Sequence, residues 1–131
     1  MRKKRTIRSA NQDHTGWWIY REVEQWVSKR QKALTANSRC LIYLNLRLIR
    51  AKSREEAYRK ALAWGRVGDR SKSNGGEWRF AGIAMLLPVY EKFEDGSEIL
   101  WEDRKLMTVA KIKKLVKTRR QLPVFDDTEE A

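Results

Sequence analysis

From Arg39 to Ala51 apolar side chains alternate with a mixed set, and two residues later Ser53-Arg54-Glu55-Glu56 opens a helix. Few segments of this length restrict a fold so tightly. A strand has a period of two residues, so Ile42, Leu44, Leu46 and Leu48 share one face and Tyr43, Asn45, Arg47 and Ile49 the other. That pattern predicts a sheet with one face on a core. Ser53 is placed to cap the first helical turn, with Glu56 as the returning side chain of a capping box. The helix continues through Ala57, Tyr58, Ala61, Leu62 and Trp64 and stops near Gly65 or Gly68. In a chain of 131 residues, a strand feeding directly into a helix implies one small mixed domain.

The flanking segments extend this plan. Gly16–Val27 satisfies a helical stripe (Ile19, Val23, Trp26, Val27) and a strand alternation equally, and its aromatic and β-branched content decides for strand. Ser28–Ser38 is a polar, basic connection, and Asp69–Gly76 a flexible loop. Glu77–Leu87 is apolar on both faces, with Trp78, Phe80, Ala84 and Leu86 opposing Ala81, Ile83, Met85 and Leu87. Such a strand is central and covered, or part of an interface. Pro88 interrupts its pairing, Asp95-Gly96 makes a hairpin turn, and Ile99–Trp101 returns as a closing strand. Thr108 opens a last helix, TVAKIKKLVKTRR, with Val109, Ile112, Leu115 and Val116 as its stripe. The expectation is an α+β domain over residues 16–104, an antiparallel sheet in the order β-β-α-β-β-α. A disordered basic arm, 1–15, precedes it, and a basic helix with an acidic tail, 105–131, follows.

The runs LIYLNLRLIRAKSREEAYRKALAWGR and EWRFAGIAMLLPVYEKFEDGSEILWED resemble the bacterial domain of unknown function 4288 family. The matching signatures are the Trp-aromatic strand at Gly16–Tyr20, the Ser-x-Glu-Glu-Ala helix start at Ala51–Ala57, and the Trp-x-Phe-x-Gly strand at Trp78–Gly82. Tyr90, the Glu94-Asp95-Gly96 turn and Glu98–Glu102 complete them in order. The chain departs from that pattern in the basic insert Ser28–Ser38, in a shortened loop before Glu77, and at both basic ends. The resemblance implies the fold, and it carries no activity.

Charge is unevenly spread through a net of +12. Met1–Ala10 holds five basic residues and no acid, Gln31–Lys52 another five and no acid, and Lys105–Arg120 seven and no acid. Gly76–Arg104 reverses sign, with seven acids against three bases. The single cysteine, Cys40, excludes an internal disulfide and suits a reducing cytoplasm. No apolar run reaches the length of a membrane span, which excludes a membrane partner of that kind.

One histidine, His14, and one cysteine supply no metal site and no nucleophile–base pair, so neither metal nor cofactor is expected. Glu91, Glu94, Asp95, Glu98, Glu102 and Asp103 are acids of an exposed strand edge and turn rather than a catalytic pair. The expectation is therefore a non-catalytic binding protein. Its first form is a nucleic-acid binder, with Arg2, Lys3, Lys4 and Arg5 of the arm and Lys111, Lys113, Lys114, Lys117, Arg119 and Arg120 of the last helix on phosphates. The alternative is a protein-interaction module, a subunit, adaptor or inhibitor of a larger protein or nucleoprotein complex, or a homodimer. Trp17, Trp18, Trp26, Trp78 and Trp101 would form its contact surface.

Overall fold

The computed structural model describes residues 14–31, 33–67, 71–73, 75–102 and 106–127. The elements are β1 (Trp17–Ser28), β2 (Ile42–Arg50), α1 (Arg54–Val67), β3 (Ser71–Ser73), β4 (Gly76–Pro88) and α2 (Val109–Leu115). Two short 3-10 turns, Arg119–Gln121 and Pro123–Phe125, follow α2. The chain divides into two compact units, residues 1–101 and 102–131.

The first unit is an antiparallel sheet in the order β2-β1-β4-β3. β1 is its axis, paired along nearly its whole length with both neighbours, from Trp17 opposite Arg50 to Ser28 opposite Gly76. Trp18, Tyr20, Glu22, Glu24 and Trp26 lie on one face of β1, opposite Ile49, Arg47, Asn45 and Tyr43 of β2. This mixed face, not the leucine face, carries α1. Trp18, Tyr20, Ile49, Ala51, Ala57 and Ala61 form the buried cluster, with Ile83 and Leu86 against it. The Trp18 indole N–H donates to the Ala51 carbonyl at 3.0 Å, tying β1 to the turn that launches α1.

The helix starts as expected, with Ser53 Oγ accepting from the Glu56 N–H at 3.2 Å. Its inner face is made of small residues four apart, Ala57, Ala61 and Gly65, all buried. Small side chains let the helix axis approach the sheet closely. At Gly65 the approach is complete: a Cβ there would lie 2.3 Å from the Phe80 ring. Trp64 and Val67 face solvent.

β4 departs from simple alternation. Register shifts occur opposite Arg21/Glu22 and Val23/Glu24, so Ala84 and Ala81 are the extra residues of two bulges. Gly82, between them, has φ +145°, a backbone conformation that side-chain-bearing residues rarely adopt. The bulges move Ile83 to the α1 face and turn Ala81 and Ala84 to solvent. Sequence alternation alone had placed Ile83 opposite Phe80 and Leu86, with Ala84 beside them.

Three further expectations change. Ile99–Trp101 forms no strand, because the Glu91 carboxylate accepts from the Glu98 N–H at 3.0 Å and folds the segment back on itself. The turn is there, with Ser97 N–H on the Glu94 carbonyl at 3.0 Å. The fourth strand is instead β3, in the segment read as a loop. His14 and Thr15, read as part of the arm, are held: the Gly16 N–H donates to His14 Nδ1 at 2.9 Å, and Thr15 pairs with Val89. That bond leaves the proton on Nε2, which points at the Lys52 carbonyl 3.2 Å away. Residues 1–13 lie outside the described set.

In the second unit, Thr108 Oγ1 accepts from the Lys111 N–H at 3.3 Å and caps α2. The helix is shorter than expected. Val116 is extended, and the Thr118 N–H then donates to Gln121 Oε1 at 3.0 Å, a local side-chain bond that competes with helix continuation.

The Gly65 contact yields a direct test. Ala has a helix propensity about 1 kcal/mol better than Gly, yet Gly65→Ala is expected to destabilise the domain by about 1–3 kcal/mol through overpacking on Phe80. Urea unfolding of the two proteins decides it; an unchanged or raised midpoint would show that α1 can lift off at no cost.

Candidate functional site

Beyond the end of α1 the helix-bearing face continues as a polar and aromatic patch. Glu22, at the middle of the central strand, is 2% exposed. Arg47 on β2 reaches it through two hydrogen bonds, Nε to Oε2 at 3.0 Å and Nη2 to Oε1 at 3.3 Å. Glu24, two residues on, shares that side of the strand. Burial disfavours the Glu22 carboxylate, but hydrogen bonds with Glu24, Arg47 and Asn45 and the Arg47 charge outweigh it, so Glu22 ionises below the usual carboxylate range. Glu24 goes the other way, raised by its hydrogen bond to Glu22, by burial and by the neighbouring negative charge. As pH falls, the first proton taken up by the pair therefore goes to Glu24 rather than to Glu22.

Tyr43 of β2 and Trp78 of β4 stack at 4.8 Å and 21°, and Trp26 meets Trp78 at 5.1 Å. Since β1 runs between those strands, the rings meet across it on the face that carries Glu24. Nearer α1, Tyr20, Arg47, Ile49, Trp64 and Val67 line a groove of about 350 Å³. The Tyr20 hydroxyl is enclosed and has no hydrogen-bond partner among the described residues, and burial together with the Glu22 charge raises its pKa. Of the carboxyl pair, Glu22 is buried and Glu24 half-buried. Within it, the buried Glu22 carboxylate is matched to the Arg47 guanidinium.

The accessible feature is the outer edge of β2. The Trp26 N–H donates to the Leu41 carbonyl and the Ala51 N–H to the Gly16 carbonyl, so odd-numbered residues of β2 turn their backbone groups inward. Antiparallel pairing alternates these directions. The N–H and C=O of Ile42, Leu44, Leu46 and Leu48 therefore point away from the sheet, and no strand pairs with them among the described residues. At the far end the Lys60 ammonium donates to the outward Arg50 carbonyl at 2.6 Å. The side chains along this edge are unusually apolar for their exposure. Leu41, Ile42, Tyr43, Leu44, Leu46 and Leu48 are each 49–59% exposed. Below Leu46 and Leu48, Ile19, Phe93, Ile99 and Leu100 complete an apolar groove of about 340 Å³. The row expected against a core is thus half in solvent, because α1 packs on the other face.

The expected interface tryptophans scatter. Trp18 is 1% exposed and belongs to the core. Trp17 lies between the Arg50 guanidinium, 4.7 Å from its ring, and Phe93 at 5.9 Å. Trp26 and Trp78 pack on each other, and Trp101 lies against Tyr90 at 5.7 Å. The most exposed tryptophan is Trp64, at 60%, which the expected contact surface does not include. Lys111, Lys113 and Lys114 lie on α2, with Lys117, Arg119 and Arg120 beyond it, and all six are exposed. Arg119 stacks on Phe125 at 4.0 Å. Arg2, Lys3, Lys4 and Arg5 fall outside the described residues. Among the described residues no group of three or more His, Cys, Asp or Glu could hold a metal ion, and no helix is long and apolar enough to cross a membrane.

The carboxyl pair has a signed pH dependence. A raised folded pKa means that the Glu24 contribution is fully present below the unfolded value, roughly 4.3, and is lost as pH rises through the folded one. The lowered Glu22 value acts oppositely, its contribution being lost as pH falls through it. Glu24→Gln keeps a donor to Glu22 and removes the second charge. It is expected to exceed the parent in stability by about 1 kcal/mol at neutral pH, with the gap closing towards pH 4 in thermal melts. A pH-independent gap would mean that the Glu24 pKa is not raised by folding. Arg47→Ala strips the buried carboxylate of its partner; because Arg47 is half-exposed and water can enter, the expected cost is about 2 kcal/mol, below that of a fully enclosed pair.

Comparison with curated proteins and with solved structures found no match. Comparison with protein families matched residues 17–101 to the Domain of unknown function (DUF4288). The match spans the whole sheet, α1 and the folded-back segment after β4, and this chain belongs to the DUF4288 family.

Proposed function

We propose that this domain is a non-catalytic protein-interaction module, the adaptor or subunit of a larger assembly, and that the outer edge of β2 is its docking site. One observation carries the reading: outward backbone donors and acceptors at Ile42, Leu44, Leu46 and Leu48 coincide with a half-exposed apolar row. Edge strands of monomeric proteins are ordinarily short, charged or covered, since a bare apolar edge invites pairing. Strand addition satisfies both features at once, through main-chain bonds and alternate side-chain pockets. A reducing, cytoplasmic location fits the single cysteine.

A second reading rests on the second unit. Lys111, Lys113, Lys114, Lys117, Arg119 and Arg120 are exposed within ten residues that contain no acid, a footprint suited to nucleic-acid phosphates. The two readings are compatible in a nucleoprotein assembly.

A photo-reactive residue placed at Leu44 or Leu46 tests the first reading in the native host. Cross-links to a protein from these positions, and none from the same residue placed at Ala63 on the outer face of α1, are expected. No cross-link from either edge position would sink it. The second reading predicts salt-sensitive binding to single- or double-stranded DNA or RNA, with a slope reduced when Lys111, Lys113, Lys114 and Lys117 become Gln. Binding unaffected by those four changes would remove α2 from any contact.

A further inference from the structure

Resting on the interaction-module reading, we infer that the occupant of the β2 edge is an extended, alternately apolar segment with acidic flanks, supplied by another protein. The length follows from the edge itself. Outward backbone groups are available from Ile42 to Leu48, while the Arg50 carbonyl is already taken by Lys60. A segment of about seven residues spans that distance at strand spacing.

The side-chain pattern follows from the pleat. Every second residue of the added strand falls on the face of Ile42, Leu44, Leu46 and Leu48 and continues their row above the Phe93–Leu100 groove. Those positions are apolar. The intervening positions face Tyr43, Asn45 and Arg47, a surface that takes polar groups.

Charge fixes the rest. No acid occurs between Gln31 and Lys52, a stretch with five basic residues. Arg47 is matched by Glu22, whereas Arg39 stands before the strand and Arg50 and Lys52 at and beyond its end. Both ends of the docking line therefore present positive charge, which attracts Asp or Glu at the ends of the added segment. The same arithmetic disfavours a second copy of this chain as occupant. Self-pairing sets one acid-free strand on another and brings together two molecules of net charge +12.

The test is selection of random nine-residue peptides, displayed on phage, against the immobilised full chain, with enriched peptides resynthesised and titrated by fluorescence anisotropy. Enriched sequences are expected to alternate apolar residues, carry Asp or Glu towards their ends and lack interior proline. Their binding should protect the Ile42, Leu44, Leu46 and Leu48 amides from hydrogen exchange and weaken as salt rises. Leu44→Pro removes an outward N–H only, a change an edge strand accommodates, and is expected to lower affinity at least about tenfold, or 1.4 kcal/mol. Leu46→Lys, checked for fold by circular dichroism, serves as a side-chain variant should the proline disturb β2. Enriched peptides that are apolar but neutral or basic, yet still protect the edge amides, would overturn the acidic partner and leave the docking site in place. Enrichment of peptides that protect other amides would overturn both. A concentration-dependent dimer in sedimentation, abolished by Leu44→Pro, would overturn the foreign partner in favour of a second copy.

Discussion

Close contact between α1 and the sheet is the constraint from which the other features follow. Ala57, Ala61 and Gly65 leave little side-chain volume between the helix and the strands, so most of the filling atoms come from the sheet: Trp18, Tyr20 and Phe80 supply the bulk. A core made of large strand residues under a small-residue helix needs only one helix to close it. The cost is coverage. One 14-residue helix shields part of one face, and the remaining sheet surface has to be managed by other means.

Two of those means are visible. On the α1 face, the part beyond the helix is closed by a matched charge pair and by Tyr43, Trp78 and Trp26, which lean together across β1. On the opposite face, residues 91–100 fold back so that Phe93 reaches Trp17 and Ile99 and Leu100 approach Leu46 and Leu48. Neither arrangement extends to the outer edge of β2. That edge is where apolar surface and unmet backbone hydrogen bonding coincide, and surfaces of this kind are associated with partners.

Much of the architecture was legible in the chain. Ser53 marked the helix start, the alternation of Arg39–Ala51 marked β2, and aromatic and β-branched enrichment decided β1. What the sequence misassigned was orientation. Alternation says which residues share a face and is silent on which face is covered; the leucine row looked inward because it is the more apolar one. The true inner face includes Arg47 and Asn45, and that becomes intelligible only when Glu22 lies opposite them in the register. Likewise, Gly82 was the one local sign of a bulge and does not say where the register shifts, so the positions of Ile83 and Ala84 were exchanged. The closing strand failed for a similar reason: a Glu91 side chain took the N–H that a ladder would have used. For the docking site the sequence offered one usable cue, an apolar strand within a long acid-free stretch, whose meaning depends on β2 being at an edge.

Lys60 gives that edge a direction. Its ammonium, near the end of the second turn of α1, occupies the last outward carbonyl of β2, so an added strand meets a plug at one end and open backbone at the other. Such a plug works as a ruler: it sets where pairing along β2 stops. The length of pairing along β2 is thus limited by one charge carried on a neighbouring helix, and not by the strand itself.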